Sequence, residues 1–103
     1  MDVIVIYYFG WAGTRDGLIS WVESVRAEAE RQNADFLGLY GPSQVKFNWA
    51  FIYRVLDQEH FQRARRGLTM PAEVVHAVIN YYWPDESFTR DLPRYPPTHF
   101  LGA

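Results

Sequence analysis

Val74-Val75-His76-Ala77-Val78-Ile79-Asn80-Tyr81-Tyr82-Trp83 is the stretch on which the fold turns. Its alternate positions, Val75, Ala77, Ile79 and Tyr81 against Val74, His76, Val78, Asn80 and Tyr82, are largely apolar in both sets. A strand with one wetted face alternates apolar with polar, so this one is expected to be covered on both sides. Val3 to Phe9 and Trp49 to Leu56 read in the same way. The chain carries only two segments with helical periodicity, enough to cover one face of a sheet. The second face is therefore expected to meet a second copy of the same sheet, because an exposed aromatic face of several hundred Å² is a strong association site.

The remaining elements follow from local signals. Gly10 ends the first strand, and Thr14 or Asp16 can cap a helix in which Leu18, Trp21, Val22, Val25 and Ala29 recur at helical spacing. Glu23, Glu28 and Glu30 read as its solvated face, and it should end near Gln32-Asn33. Phe36 to Tyr40 is a short strand closed by Gly41-Pro42, with Gly38 marking a bulge. Asp57 reads as the N-cap of a second helix bearing Phe61, Ala64 and Leu68, with Arg63, Arg65 and Arg66 near the end where cations suit the helix dipole, and Gly67 as its stop. Pro84 ends the last strand. Residues 1–83 thus form the domain, and 84–103 form a Pro-rich extension whose Phe88, Leu92, Tyr95, Phe100 and Leu101 are expected to pack on the body or on the partner subunit.

At 103 residues the chain is one domain. Its 4 Trp, 7 Tyr and 7 Phe suit a subunit interface or a pocket for a flat ligand. A net charge of −2 offers no field to gather phosphates or anionic membrane, so neither nucleic acid nor membrane is expected as a partner. The chain has 0 cysteines, hence no thiolate nucleophile and no thiolate metal site. Met1-Asp2 lacks a basic leader region and Val3 to Phe9 is too short to span a bilayer, so a cytoplasmic location is expected.

The element order βαββαβ over residues 2 to 83, with doubly apolar strands such as Val74 to Trp83, resembles the ferredoxin-like dimeric α+β barrel superfamily. That resemblance implies a four-stranded antiparallel sheet with two helices on one face, dimerising through the other. It also implies a homodimer with a ligand pocket, in a superfamily that includes cofactor-independent monooxygenases, isomerases and haem-binding proteins. Phe47-Asn48-Trp49-Ala50-Phe51-Ile52-Tyr53 is similar in place to the aromatic third strand of RNA-recognition motifs, but Phe47 and Asn48 replace that motif's basic residue and glycine, and Arg54 its last aromatic.

If the small aliphatic residues Ile4, Ile6, Ala50, Ile52, Ala77 and Ile79 lie under the helices, the opposite face presents Tyr7, Phe9, Trp49, Phe51, Tyr53, His76, Asn80 and Tyr82. Arg54 then falls on the helix side. The expected ligand-binding set is Tyr7, Phe9, Trp49, Phe51 and Tyr53, stacking on a small apolar or aromatic molecule with no cofactor. The expected catalytic set is His76, which could take a proton from a phenolic or enolic substrate at neutral pH, with Asn80 or Tyr82 holding the developing oxyanion. The rival expectation is a non-catalytic dimer in which these side chains simply fill an interface. His60, His76 and His99 lack metal-ligand spacing, and nothing local supports haem ligation. Gly10-Trp11-Ala12-Gly13-Thr14-Arg15 matches neither phosphate-binding fingerprint, and Ser20, Ser24, Ser43 and Ser87 lack the surroundings of a hydrolase nucleophile.

Overall fold

The computed structural model describes residues 2–43 and 48–90. Its elements are β1 (Val3–Trp11), α1 (Arg15–Arg31), β2 (Asp35–Tyr40), β3 (Trp49–Val55), α2 (Gln58–Arg65) and β4 (Val74–Tyr82). Both helix starts are capped by side chains, as the sequence predicts. Thr14 Oγ1 accepts from Gly17 N at 3.1 Å, and Asp57 Oδ1 accepts from His60 N at 2.7 Å. Past α1 the chain turns through Asn33, whose φ of 57° is a left-handed conformation that asparagine tolerates.

The sheet runs β2-β3-β1-β4 with every neighbouring pair antiparallel. Each βαβ unit thus straddles a strand from the other unit, an α+β arrangement compatible with a ferredoxin-like fold. Both helices lie on one face. Leu18, Trp21, Val25 and Ala29 of α1 join Phe61 and Ala64 of α2 in a single core with Val3, Val5, Tyr7, Phe9, Phe51, Tyr53 and Val55.

That core corrects the expected parity. On β1 and β3 Tyr7, Phe9, Phe51 and Tyr53 lie beneath the helices, and Ile4, Ile6, Ala50 and Ile52 lie on the open side. Volume decides it. Phe9, Phe51, Tyr7, Phe36, Tyr53 and Phe61 form a chain of ring contacts with centroids 4.7 to 6.0 Å apart, and Trp21 closes on Phe51 at 6.2 Å. Rings bury more apolar surface than isoleucine or alanine, so the helix-covered face gains most by taking them. Ile79 and Tyr81 of β4 pack against this core, so the expected parity holds only for β4 from Val78 onward.

Two bulges adjust the pleat. The predicted one at Gly38 appears as a register shift between Phe36 and Gly38, with φ of 140° at the glycine. The other was not anticipated. Tyr8 pairs with Val78 but Gly10 with Val75, so His76 and Ala77 together oppose Phe9, and His76 takes φ 54°. The extra residue reverses the phase of the strand, which is why Val74 packs against the core although it shares parity with the open-side Val78, Asn80 and Tyr82.

Two further side chains depart from expectation. Glu28 is buried rather than solvated: it pairs with Arg31, and its carboxylate lies where a Cβ at Gly67 would come within 2.8 Å. Arg54 lies on the open face, not the helix side, and is buried there against Asp35. Phe47 and residues 91–103, the larger part of the extension, lie outside the described residues.

Candidate functional site

Register arranges the open face as three rows across β2, β3, β1 and β4. They are Asp35-Arg54-Ile4-Tyr82, Gly38-Ile52-Ile6-Asn80 and Tyr40-Ala50-Tyr8-Val78. The first row carries an ion pair. Arg54 donates Nε and Nη2 to Asp35 Oδ2 at 3.0 and 2.8 Å. Apart from the amide of Asn80 and the backbone of Gly38, the rest is apolar or phenolic, with Tyr40, Val78 and Tyr82 exposed and Ile4, Ile6 and Ile52 half-buried.

The third row has a dip. Ala50 stands between Tyr40 and Tyr8, and a methyl group flanked by two phenols leaves a hollow. The hollow has a volume of about 390 Å³, opens to solvent, and has a mostly apolar lining that includes Tyr8, Tyr40, Trp49, Ala50, Val78 and Asn80. That is within the range of small-molecule sites. One end is shaped by Gly41, whose φ of 137° suits glycine and where a Cβ would come within 2.4 Å of the Asn48 carbonyl.

A polar chain borders this hollow. Asn80 Nδ2 donates to Tyr82 Oη over a long 3.4 Å. Hydrogen bonding with Tyr82, with a smaller contribution from burial, raises the pKa of Tyr8 above that of an ordinary phenol. A phenol so held keeps its proton at neutral pH and acts as a hydrogen-bond donor, not a base.

The expected site residues are thereby divided. Asn80, Tyr82 and Trp49 stand at or beside the hollow, and Asn80 and Tyr82 touch. Tyr7, Phe9, Phe51 and Tyr53 are core residues under the helices, at most 2% exposed. His76 is exposed at the bulge and does not line the hollow. Sequence reading missed Tyr8 and Tyr40, which share a face with Asn80. The signal was present in the run Tyr7-Tyr8, where the choice of one tyrosine for the core sends the other to the opposite side.

On the helix side a more polar groove of about 590 Å³ runs between α1 and the connection from α2 to β4, past Ser20, Trp21, Ser24, Arg31 and Glu73. The described residues hold no group of three or more metal-ligating side chains, and no helix is long and apolar enough to cross a membrane. No protein-family model matches the chain, and no curated protein matches it.

Proposed function

We propose that this protein is a homodimeric α+β barrel that binds a small, neutral, planar aromatic molecule between its two open sheet faces. The observation that carries the reading is the hollow over Ala50, walled by Tyr8 and Tyr40 on a face whose centre is built of Ile4, Ile6 and Ile52. Two phenols set apart by an alanine suit a flat ring, which can stack or pack edge-on against them. Tyr8 and Asn80 supply hydrogen bonding for one carbonyl or hydroxyl group. In the first row Arg54 and Asp35 compensate each other's charge, which favours a neutral ligand over an ionic one. A ligand in this hollow would remain open to water on one side, whereas small-molecule sites enclose most of their ligand. A second copy laid on the face would provide the roof.

Binding is preferred here to cofactor-free oxygenation or isomerisation, because the one candidate base, His76, stands away from the hollow. The test uses 1-naphthol and naphthalene as probes in calorimetric titrations of the wild type and of Ala50→Phe. The wild type should bind 1-naphthol more tightly than naphthalene, through its hydroxyl. Ala50→Phe, which fills the hollow from an open-face position, should lose binding of both while keeping the wild-type circular dichroism. Equal affinity of a folded Ala50→Phe for 1-naphthol would defeat the proposal.

A further inference from the structure

Gly17, Ser20, Ser24 and Ala27 recur on α1 at helical spacing, beside the stripe of Leu18, Trp21 and Val25 that enters the core. Their side chains are too short to reach the connection from α2 to β4, and the groove of about 590 Å³ remains between the two. Both ends are fixed by close packing. At one end the Glu28 carboxylate lies against Gly67, and at the other the Glu73 side chain lies against Gly13, each where a glycine Cβ would come within 2.8 Å. Leu68 N donates to Arg65 O at 3.0 Å and Ala12 N to Glu73 O at 2.8 Å, so the connection is tied down at each end and the groove is preformed. Along α1 it extends from Gly17 to Arg31, roughly 21 Å by helical rise.

Two indoles supply the aromatic surface of this groove. Trp11 lies against Gly13 and Gly17, where a Cβ would come within 3.1 and 3.2 Å of its ring, and its Nε1 donates to Thr14 O at 2.8 Å. It is a fixed platform. Trp21 lines the groove and is 6% exposed, and its Nε1 has no acceptor among the described residues. Such a buried donor is the exception in a folded protein, and a ligand oxygen lodged beside Trp21 would satisfy it. The polar lining mixes the hydroxyls of Ser20 and Thr69, which donate and accept, with the carboxylate of Glu73, which only accepts. Arg31 and Glu73 stand at opposite ends, so neither sign of charge is favoured along the whole groove.

We infer that this groove binds a short neutral oligosaccharide. A sugar ring presents a face of C–H groups, which packs on the fixed indole of Trp11, and a rim of hydroxyls that donate and accept, which the mixed lining pairs with. The volume lies within the range of small-molecule sites, and the elongated shape suits a few sugar units in a row better than one compact ligand. The site lies on the helix side of the sheet, across from the hollow over Ala50, and stands whether or not that hollow binds an aromatic molecule.

The test titrates maltotriose, cellotriose and triacetylchitotriose into the ¹⁵N-labelled full chain and follows its NMR spectrum. At least one trisaccharide should bind with a Kd of about 1 mM or below. It should move the amide signals of α1 and of residues 67–73 and the indole N–H signals of Trp11 and Trp21, while the indole signal of Trp49, on the hollow, stays in place. No response to any of the three at about 10 mM overturns the inference, as does a response confined to the open face. Ser24→Leu fills the groove from a helical position that leucine suits, and should weaken binding at least about tenfold with circular dichroism unchanged. Wild-type affinity in a folded Ser24→Leu also overturns it. Ala50→Phe should keep the wild-type affinity for the trisaccharide; a loss there would place the sugar on the open face and defeat the assignment.

Discussion

Arg54 places both Nε and Nη2 on one oxygen of Asp35, at 3.0 and 2.8 Å, on the side of the sheet that the helices leave open. The guanidinium side chain is 8% exposed and the carboxylate 26%, so the pair is largely removed from water beside the isoleucines of the face. It joins edge strand β2 to β3 at the row beside Ile4.

Removing one member should cost much more than removing both. Asp35→Ala removes a carboxylate from the buried guanidinium and should destabilise the fold by about 2–4 kcal/mol, somewhat below a fully buried pair because Asp35 keeps some contact with water. Adding Arg54→Met should recover most of the loss. Urea denaturation of the two single variants and the double variant measures the coupling; additive losses would mean that the pair contributes little.

His60 fastens the two helical units to each other. Its Nδ1 accepts from Leu56 N at 3.0 Å, so Nε2 carries the proton and donates to Gln32 O at 2.7 Å, at the C-cap of α1. The ring is buried, and one imidazole thus serves two backbone groups 24 residues apart in sequence, counted from Gln32 to Leu56. His60→Phe keeps a planar aromatic ring and removes both bonds. It should cost about 2–4 kcal/mol by chemical denaturation, from two backbone groups left without partners. A loss under about 0.5 kcal/mol would show that water replaces the imidazole without penalty.

Alkaline stability should be set by buried phenols. Burial raises the pKa of Tyr7, an effect that the nearby Arg65 opposes without cancelling, and burial raises that of Tyr53 further. Below pH of about 10 these phenols are protonated in folded and unfolded chains alike, so stability from this source is fully present. Above it the unfolded chain releases protons that the folded chain retains, and stability falls as pH rises through the folded values. Tyrosinate absorbance at 295 nm and circular dichroism, followed together from pH 8 to 13, should show the last phenols ionising as the helical signal disappears. Tyr53→Phe should make the alkaline decline shallower. Ionisation of all 7 tyrosines near pH 10 in a folded chain would contradict this account.

Element order, the Asp57 cap, the first cap to within Thr14 or Asp16, the end of α1 and the bulge at Gly38 were legible in the sequence because each depends on a few adjacent residues. Thr14 and Asp57 act on amides three residues away, and Gly38 adopts a backbone conformation that few other residues tolerate. The candidate site was legible only in part. Asn80 and Tyr82 were placed on the open face as expected, but the rings expected beside them are core. In a strand whose two faces are both apolar, alternation does not reveal which set faces inward.

The sequence by itself determined an α+β chain of βαββαβ order with doubly apolar strands, because periodicity and capping are local properties. The tertiary structure alone decided that Tyr7 goes inward and Tyr8 outward, that Glu28 and Arg54 are buried, and that His76 sits in a bulge. The physical reason is that these outcomes depend on fitting ring volumes between helices and sheet and on register across strands distant in sequence, neither of which any single segment encodes.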